Sequence, residues 1–423
     1  MTPIRLCWQE LPAHEAWPDP CPEAGEEIFG WELPERGEVV LALGAVAELM
    51  GHGAGRFEEA RLARTAVEAG LRVDGCPDAG APRWVGGFAF DGEPRDEGEV
   101  EGALPPLRFV LPRVLWWRRQ GRVFRVEASG GDPSLGRVPA PARAPCEVRR
   151  SLRIEAGAPL VEDQARFREA LARVRDGSLQ KLVVARRLEV RLGAHVDLRR
   201  ARARLRRAHP SSHHYRLVRG ARAFLGASPE RLLRVVGGQV EADALAGSAP
   251  RGCSPQVDAA LRRSLVESKK EQEEHAFVVR HLCERLAPLC DEVWAPEAPR
   301  VRATEGIQHL HTPVRARSRG ADLLTLAERL HPTPAVAGTP CEAAQAWLRE
   351  HEGFDRGWYA GGVGWLDGAG GGDIAVALRC ALLHGHRGSL YAGAGVVAGS
   401  DPEAEIAETR LKMRALLDPW LEL

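Results

Sequence analysis

Apolar positions in the first third of the chain come in short runs rather than long stripes. Residues 39–43 and 84–90 are such runs, bounded by Gly, Pro and Asp, which predicts strands. Residues 109–117 and 123–126 flank Gln120-Gly121 and predict a hairpin. Residues 57–69 have helical spacing instead. Residues 1–155 therefore read as a β-rich part. Residues 130–145 are rich in proline and predict a surface connector. They are not read as a domain boundary, because the strands before them are too few to form an independent core.

Helices and strands then alternate. Residues 161–176 place Phe167, Leu171 and Val174 on one helical face, with Gly177 as the C-cap. Residues 181–190 predict a strand, whose period of two puts Lys181 on the face of Val183 and Ala185. A helix near 198–208 precedes strands at 215–218, 223–226, 232–236 and 240–244. Residues 255–290 predict one long helix with Leu265, Val278, Leu282 and Leu286 on its core face. A strand at 307–314, helices at 323–330 and 342–351, and a strand at 373–383 follow. The last helix starts at Ser400-Asp401-Pro402, where Ser or Asp can cap and proline fits the first turn.

Composition narrows the function classes. The 423 residues are 44% hydrophobic, enough for a large core. Lys+Arg and Asp+Glu both number 58, so no global field favours nucleic acid or an anionic membrane. The nine cysteines form no C-x-x-C pair, which suits reduced thiols and a cytoplasmic location. No apolar run is long enough to span a bilayer, and the N-terminal residues lack a signal-peptide core. Walker A, G-x-S-x-G and H-E-x-x-H sequences are absent. The glycines at 368–372 lack a following helix and read as a hairpin loop rather than a dinucleotide site. His213-His214 has no partner at zinc spacing and reads as a loop pair.

The stretch 391–412 carries the sharpest chemistry. Gly393, Ala394 and Gly395 lead towards a helix start, where backbone N–H groups suit an anion. The helix then offers Glu405 and Glu408 at i, i+3, with Lys412 one turn on. An anion cradle beside two carboxylates repels itself unless a cation intervenes, which suggests a carboxylate substrate held through a divalent metal. Each charge also has a plainer reading. Glu405 and Glu408 could be solvated, Lys181 a snorkelling edge lysine, Glu230 an exposed turn carboxylate, and SKKEQEEH a solvated face. Within that run, Glu274 lies one turn before Val278, close to the buried side.

As an ordered set, KLVVARR, GASPERL, LAGSAPRG, SKKEQEEH, IQHL, HPTPAVAG, GWYAGGVGW, VALRC and YAGAGVVAGSDPEAEIAET resemble the motifs of chorismate-utilising enzymes. That family includes isochorismate synthase, salicylate synthase, anthranilate synthase component I and aminodeoxychorismate synthase component I. The motifs cover residues 160–415, and WVGGFAFD and FVLPRVLW extend the resemblance to isochorismate synthases towards the N-terminus. It implies one large α+β domain of two packed β-sheets with outer helices. By motif position it implies Lys181 as general base, Glu230 as general acid, and Glu274 and Glu408 as Mg²⁺ ligands, with Glu405 beside them. Gly393 and Gly395 match backbone donors to a substrate carboxylate. Arg379 and Lys412 match its basic contacts, and Gly247, Ser248 and His309 match the substrate lining. Ser248-Ala249 departs from the common Thr-Arg, although Ser keeps the hydroxyl.

The implied chemistry is water addition at C2 of chorismate with loss of the C4 hydroxyl. A leaving hydroxyl needs an acid and water needs a base; a lysine base must be neutral, and desolvation works in that direction. Lysine at 181 argues against anthranilate synthases. Ala246 stands where aminodeoxychorismate synthases place a nucleophilic lysine. Salicylate synthases tend to carry a hydroxyl where this chain has Ala335. The expectation is an isochorismate synthase, with salicylate synthase or a catalytically silent chorismate-binding homologue as alternatives. No glutaminase subunit is expected, and the expected state is a monomer.

Overall fold

The computed structural model describes residues 2–12, 17–18, 26–78, 80–93, 104–135, 154–156, 160–192, 196–304 and 306–421. Their strands form a 13-stranded sheet and a 10-stranded sheet, with the helices packed around them. The expected α+β fold of two packed sheets is what the chain adopts. The main core lies between the sheets and draws on residues from Ile4 to Ile406. Trp31 of one sheet meets Trp365 of the other edge to face, with ring centroids 6.3 Å apart. A smaller cluster seals the outer face of the larger sheet beneath the helix Leu198–Ala208 and includes Leu205, Leu383 and Leu416.

The sheets are joined by pairs of strands that cross from one to the other together. Glu38–Leu43 pairs with Val114–Arg119 in the larger sheet, and Ala47–Gly51 pairs with Leu107–Leu111 in the smaller. Arg222–Ser228 pairs with Cys380–His384 in the larger sheet, and Arg231–Val236 pairs with Gly372–Val376 in the smaller. At this second crossing Ala227 N donates to Arg379 O at 3.1 Å, and Val376 N donates to Glu230 O at 3.1 Å. Glu230 and Arg379 thus sit together at one bend.

These crossings correct two predicted strands. The run 109–117 is two strands separated at Pro112, which has no N–H for a continuing ladder. The run 373–383 is Gly372–Val376 and Cys380–His384, with Arg379 at φ 48° between them. The single helix over 255–290 is also two, Pro255–Glu267 and Lys269–Leu286. Ser268 between them is extended and caps the second by accepting from Glu271 N. His213-His214 is not a loop pair but opens the strand His213–Arg219, and both rings are buried.

Other expectations hold. Gln120 (φ 51°) and Gly121 (φ 78°) turn the hairpin between Val114–Arg119 and Arg122–Gly131, as a two-residue turn with both φ positive requires. The 368–372 glycines close the hairpin between Gly362–Asp367 and Gly372–Val376. The proline-rich connector falls largely outside the described residues. No helix among the described residues is long and apolar enough to cross a membrane.

Candidate active site

Lys181 opens the strand Lys181–Leu192, which pairs with Arg387–Val396 so that Val183 faces Gly395 and Ala185 faces Gly393. Its side chain is fully buried, and Nζ lies 3.0 Å from Glu274 Oε1 on the helix Lys269–Leu286. Gly395 makes this meeting possible. A Cβ there would stand 2.3 Å from Glu274 Oε1 and 3.1 Å from Lys181 Cε.

A cleft of about 650 Å³ opens beside this pair. Nine of the residues singled out by sequence line it: Glu230, Gly247, Ser248, Glu274, His309, Arg379, Gly393, Gly395 and Lys412. Lys181 and Glu408 do not line it themselves but pair with Glu274 and Lys412, which do, whereas Glu405 bonds Lys270 and Ser400 outside the lining. Tyr359 and Tyr391, whose rings stack with centroids 5.1 Å apart, and Ala335 complete the apolar side.

Glu230 is buried rather than exposed in its turn, and its Oε1 has no hydrogen-bond partner among the described residues. Burial, reinforced by the negative charge of Asp243, pushes its pKa up to about 8 against the pull of Lys181 and Lys412. The carboxyl is therefore protonated at neutral pH. Asp243 itself bonds His311 at 2.9 Å and Arg302 at 3.4 Å. Burial opposes its ionisation, but the His311 bond and the surrounding cations hold its pKa well below the carboxylate range.

Gly247 (φ 75°) forms a bulge where Gln239–Pro250 pairs with Ile307–Ser318, and the register shift brings Ser248 opposite His309. Ser248 Oγ lies 2.9 Å from His309 Nδ1, and Arg379 Nη2 lies 3.2 Å from His309 Nε2. Burial first, then Arg379 and Lys412, hold the His309 pKa well below the usual histidine value. Burial lowers the Arg379 pKa to about 10, with Glu408 opposing.

Two acidic pairs face this edge. On the last helix, Pro402–Leu421, Asp401 caps by accepting from Glu403 N and Ala404 N, which leaves Ser400 Oγ to donate to Glu405 at 2.8 Å. Glu405 also pairs with Lys270 at 2.7 Å, yet burial and the Glu408 charge push its pKa up to about 7. Glu408 behaves oppositely. Burial works against its ionisation, but the Lys412 ammonium at 2.6 Å outweighs it and lowers the pKa. Lys412 also donates to Gly393 O at 2.8 Å. The second pair is Glu271 and Glu274. Glu271 accepts from Ser248 N at 2.9 Å, and burial followed by the Glu274 charge raises its pKa.

Sequence reasoning missed Glu271 and Lys270, although the i, i+3 spacing that marks Glu405 and Glu408 recurs in Glu271 and Glu274. It also missed the buried pair Glu352 and Arg356. The Arg356 guanidinium holds Val336 O at 2.7 Å and Val183 O at 2.8 Å, fixing two lining residues. Among the described residues, no three His, Cys, Asp or Glu side chains converge to hold a metal ion. The carboxylates instead contact Lys181, Lys270 and Lys412. The donor set nonetheless fits a hard divalent cation: it is all oxygen, and burial followed by the neighbouring carboxylate charge raises the pKa values of Glu271 and Glu405.

A two-sheet fold with a cleft of buried acid, basic anchors and close-approach glycines defines a class. Residues 158–419, more than half of the chain, match the family described as chorismate binding enzyme, and this protein belongs to that family. It is 38% identical over 404 residues to the salicylate biosynthesis isochorismate synthase of Pseudomonas aeruginosa, covering 91% of this chain and 83% of that one. It is 30% identical over 416 residues to isochorismate synthase MenF of Bacillus subtilis, covering 92% and 87%. The structure of the menaquinone-specific isochorismate synthase of Escherichia coli superposes with a TM-score of 0.79 at 27% identity, covering 98% of this chain and 94% of that one.

Proposed function

We propose that this protein is an isochorismate synthase that converts chorismate to isochorismate by adding water at C2 and expelling the C4 hydroxyl. The observation that carries the reading is Glu230: a carboxyl on the cleft wall, buried, with no hydrogen-bond partner for Oε1 among the described residues, and protonated at neutral pH. Such a group can give its proton to a departing hydroxyl. Lys181 is the base. Its Nζ lies beside Glu274 but has no hydrogen-bond partner among the described residues, which leaves it able to engage a water molecule. Arg379 and Lys412 bind the substrate carboxylates, with backbone N–H groups of the 393–395 segment beside them.

Mg²⁺, held by Glu274 and Glu408, would supply positive charge at the ring carboxylate as electron density moves towards it. Tyr359, Tyr391 and Val183 exclude bulk water from the ring face. Ala335 lines the cleft without offering a hydroxyl, which favours release of isochorismate over salicylate.

The test is incubation of the purified protein with chorismate and Mg²⁺, with products resolved by chromatography. Isochorismate without stoichiometric pyruvate is expected. Salicylate with pyruvate would make the protein a salicylate synthase, and chorismate binding without any product would make it a silent homologue.

A further inference from the structure

His309 is buried between two side-chain partners with different hydrogen-bonding capacities, and its ring also interacts with the Gly247 backbone. A guanidinium can only donate, so Arg379 Nη2 at 3.2 Å obliges His309 Nε2 to accept. Nδ1 then carries the ring proton and donates to Ser248 Oγ at 2.9 Å. A hydroxyl that accepts there has its own hydrogen to give, and Ser248 is among the groups that hold the Glu408 pKa down. Its backbone N–H meanwhile donates to Glu271 Oε2. Ser248 therefore meets both acidic pairs, bonding Glu271 through its main chain and favouring the ionised form of Glu408 through its side chain. The bulge at Gly247 sets Ser248 opposite His309 and so fixes the direction of this line.

We infer that His309 is a positioning residue: clamped by Arg379 as the neutral Nδ1–H tautomer, it turns the Ser248 hydroxyl hydrogen onto Glu408 and makes Ser248 the clasp between the two acidic pairs. This rests on the proposed function only for its effect on turnover. The tautomer itself is a property of the free protein. His309 acts through Ser248, and what this needs is a ring with one acceptor facing Arg379 and one donor facing Ser248. Asparagine keeps the donor near Nδ1 and loses the acceptor. Glutamine keeps the acceptor near Nε2 and loses the donor.

The test has two arms. Protein labelled with ¹⁵N-histidine is examined by ¹H–¹⁵N correlation of the imidazole region at neutral pH, with the His309 signals identified by their loss in His309→Gln. A protonated Nδ1 and an unprotonated Nε2 are expected; an Nε2–H tautomer or an imidazolium overturns the inference. In the kinetic arm, Ser248→Ala and His309→Gln should each lower kcat about tenfold, the value of one hydrogen bond to a charged group. The double variant should lose no more than either single one, because both break the same line. His309→Asn should retain more activity than His309→Gln. Multiplying losses in the double variant, or equal losses for Asn and Gln, would show that His309 does not act through Ser248. If the wild type forms no isochorismate, the functional reading fails while the spectrum still decides the tautomer.

Discussion

Lys181 and Glu274 meet at 3.0 Å in a space that stays open because residue 395 has no side chain. The position is not one of positive φ, so alanine could adopt its backbone; what it lacks is room. Gly395→Ala would drive a methyl group onto Glu274 Oε1. Overpacking of this kind costs about 1–3 kcal/mol. The variant should fold with a lowered melting temperature and turn over at least about a hundredfold more slowly, since both the base and a carboxylate must move. Near-wild-type turnover by Gly395→Ala would show that the Lys181–Glu274 contact is not needed.

Lys181→Gln isolates the base. Substrate anchoring by Arg379 and Lys412 stays in place, so chorismate affinity measured by calorimetry should change little. Water addition should fall by about 10²–10⁴-fold. A collapse of affinity along with turnover would recast Lys181 as a substrate-binding cation.

Glu230 makes a prediction about pH. Its folded-state pKa of about 8 lies above the ordinary value of 4.5. The acid is competent below about pH 8, so turnover should decline as pH rises through that value. Stability follows the same sign: the carboxyl is accommodated without penalty below the unfolded-state value and becomes a liability as pH rises towards 8. Over that window the penalty grows by about 1.4 kcal/mol per unit of pH. Glu230→Gln, which cannot ionise, should lose turnover yet gain stability relative to wild type between pH 5 and 8. Chemical denaturation of both proteins at several pH values reads this directly. A constant stability gap across the window would refute the raised pKa.

Glu274→Gln and Glu408→Gln should each abolish Mg²⁺-dependent turnover while far-UV circular dichroism stays unchanged. Chelation by EDTA should reproduce the loss in wild type, and added Mg²⁺ should restore it. Full activity in EDTA, or in either variant, would rule out this metal site.

Much of this was legible in the sequence. The ordered motifs pointed to the two-sheet fold, and nine of the twelve residues they marked line one cleft. The errors cluster where a strand or helix changes direction without a glycine to announce it. Arg379 bends at φ 48° within an apolar run, and Ser268 breaks a helix whose apolar periodicity continues past it. Burial was the other blind spot. Residue type makes Glu230 an exposed turn carboxylate, and only strands distant in sequence close over it. Glu271 was hidden by the density of charge around it, although its spacing from Glu274 repeats that of Glu405 from Glu408.

The bend shared by Glu230 and Arg379 also bears on how the protein is made. Residues 222–236 find their sheet partners in residues 372–384, and the Lys181 strand finds its partner in residues 387–396. A ribosome that has delivered the acid and the base has not yet delivered the strands that bury them. Contacts of such long sequence separation are slow to close. The chemistry thus arrives all at once, when residues 372–396 have been delivered. Until then, Lys181–Leu192 and Arg222–Ser228 each lack the strand that pairs with their later edge.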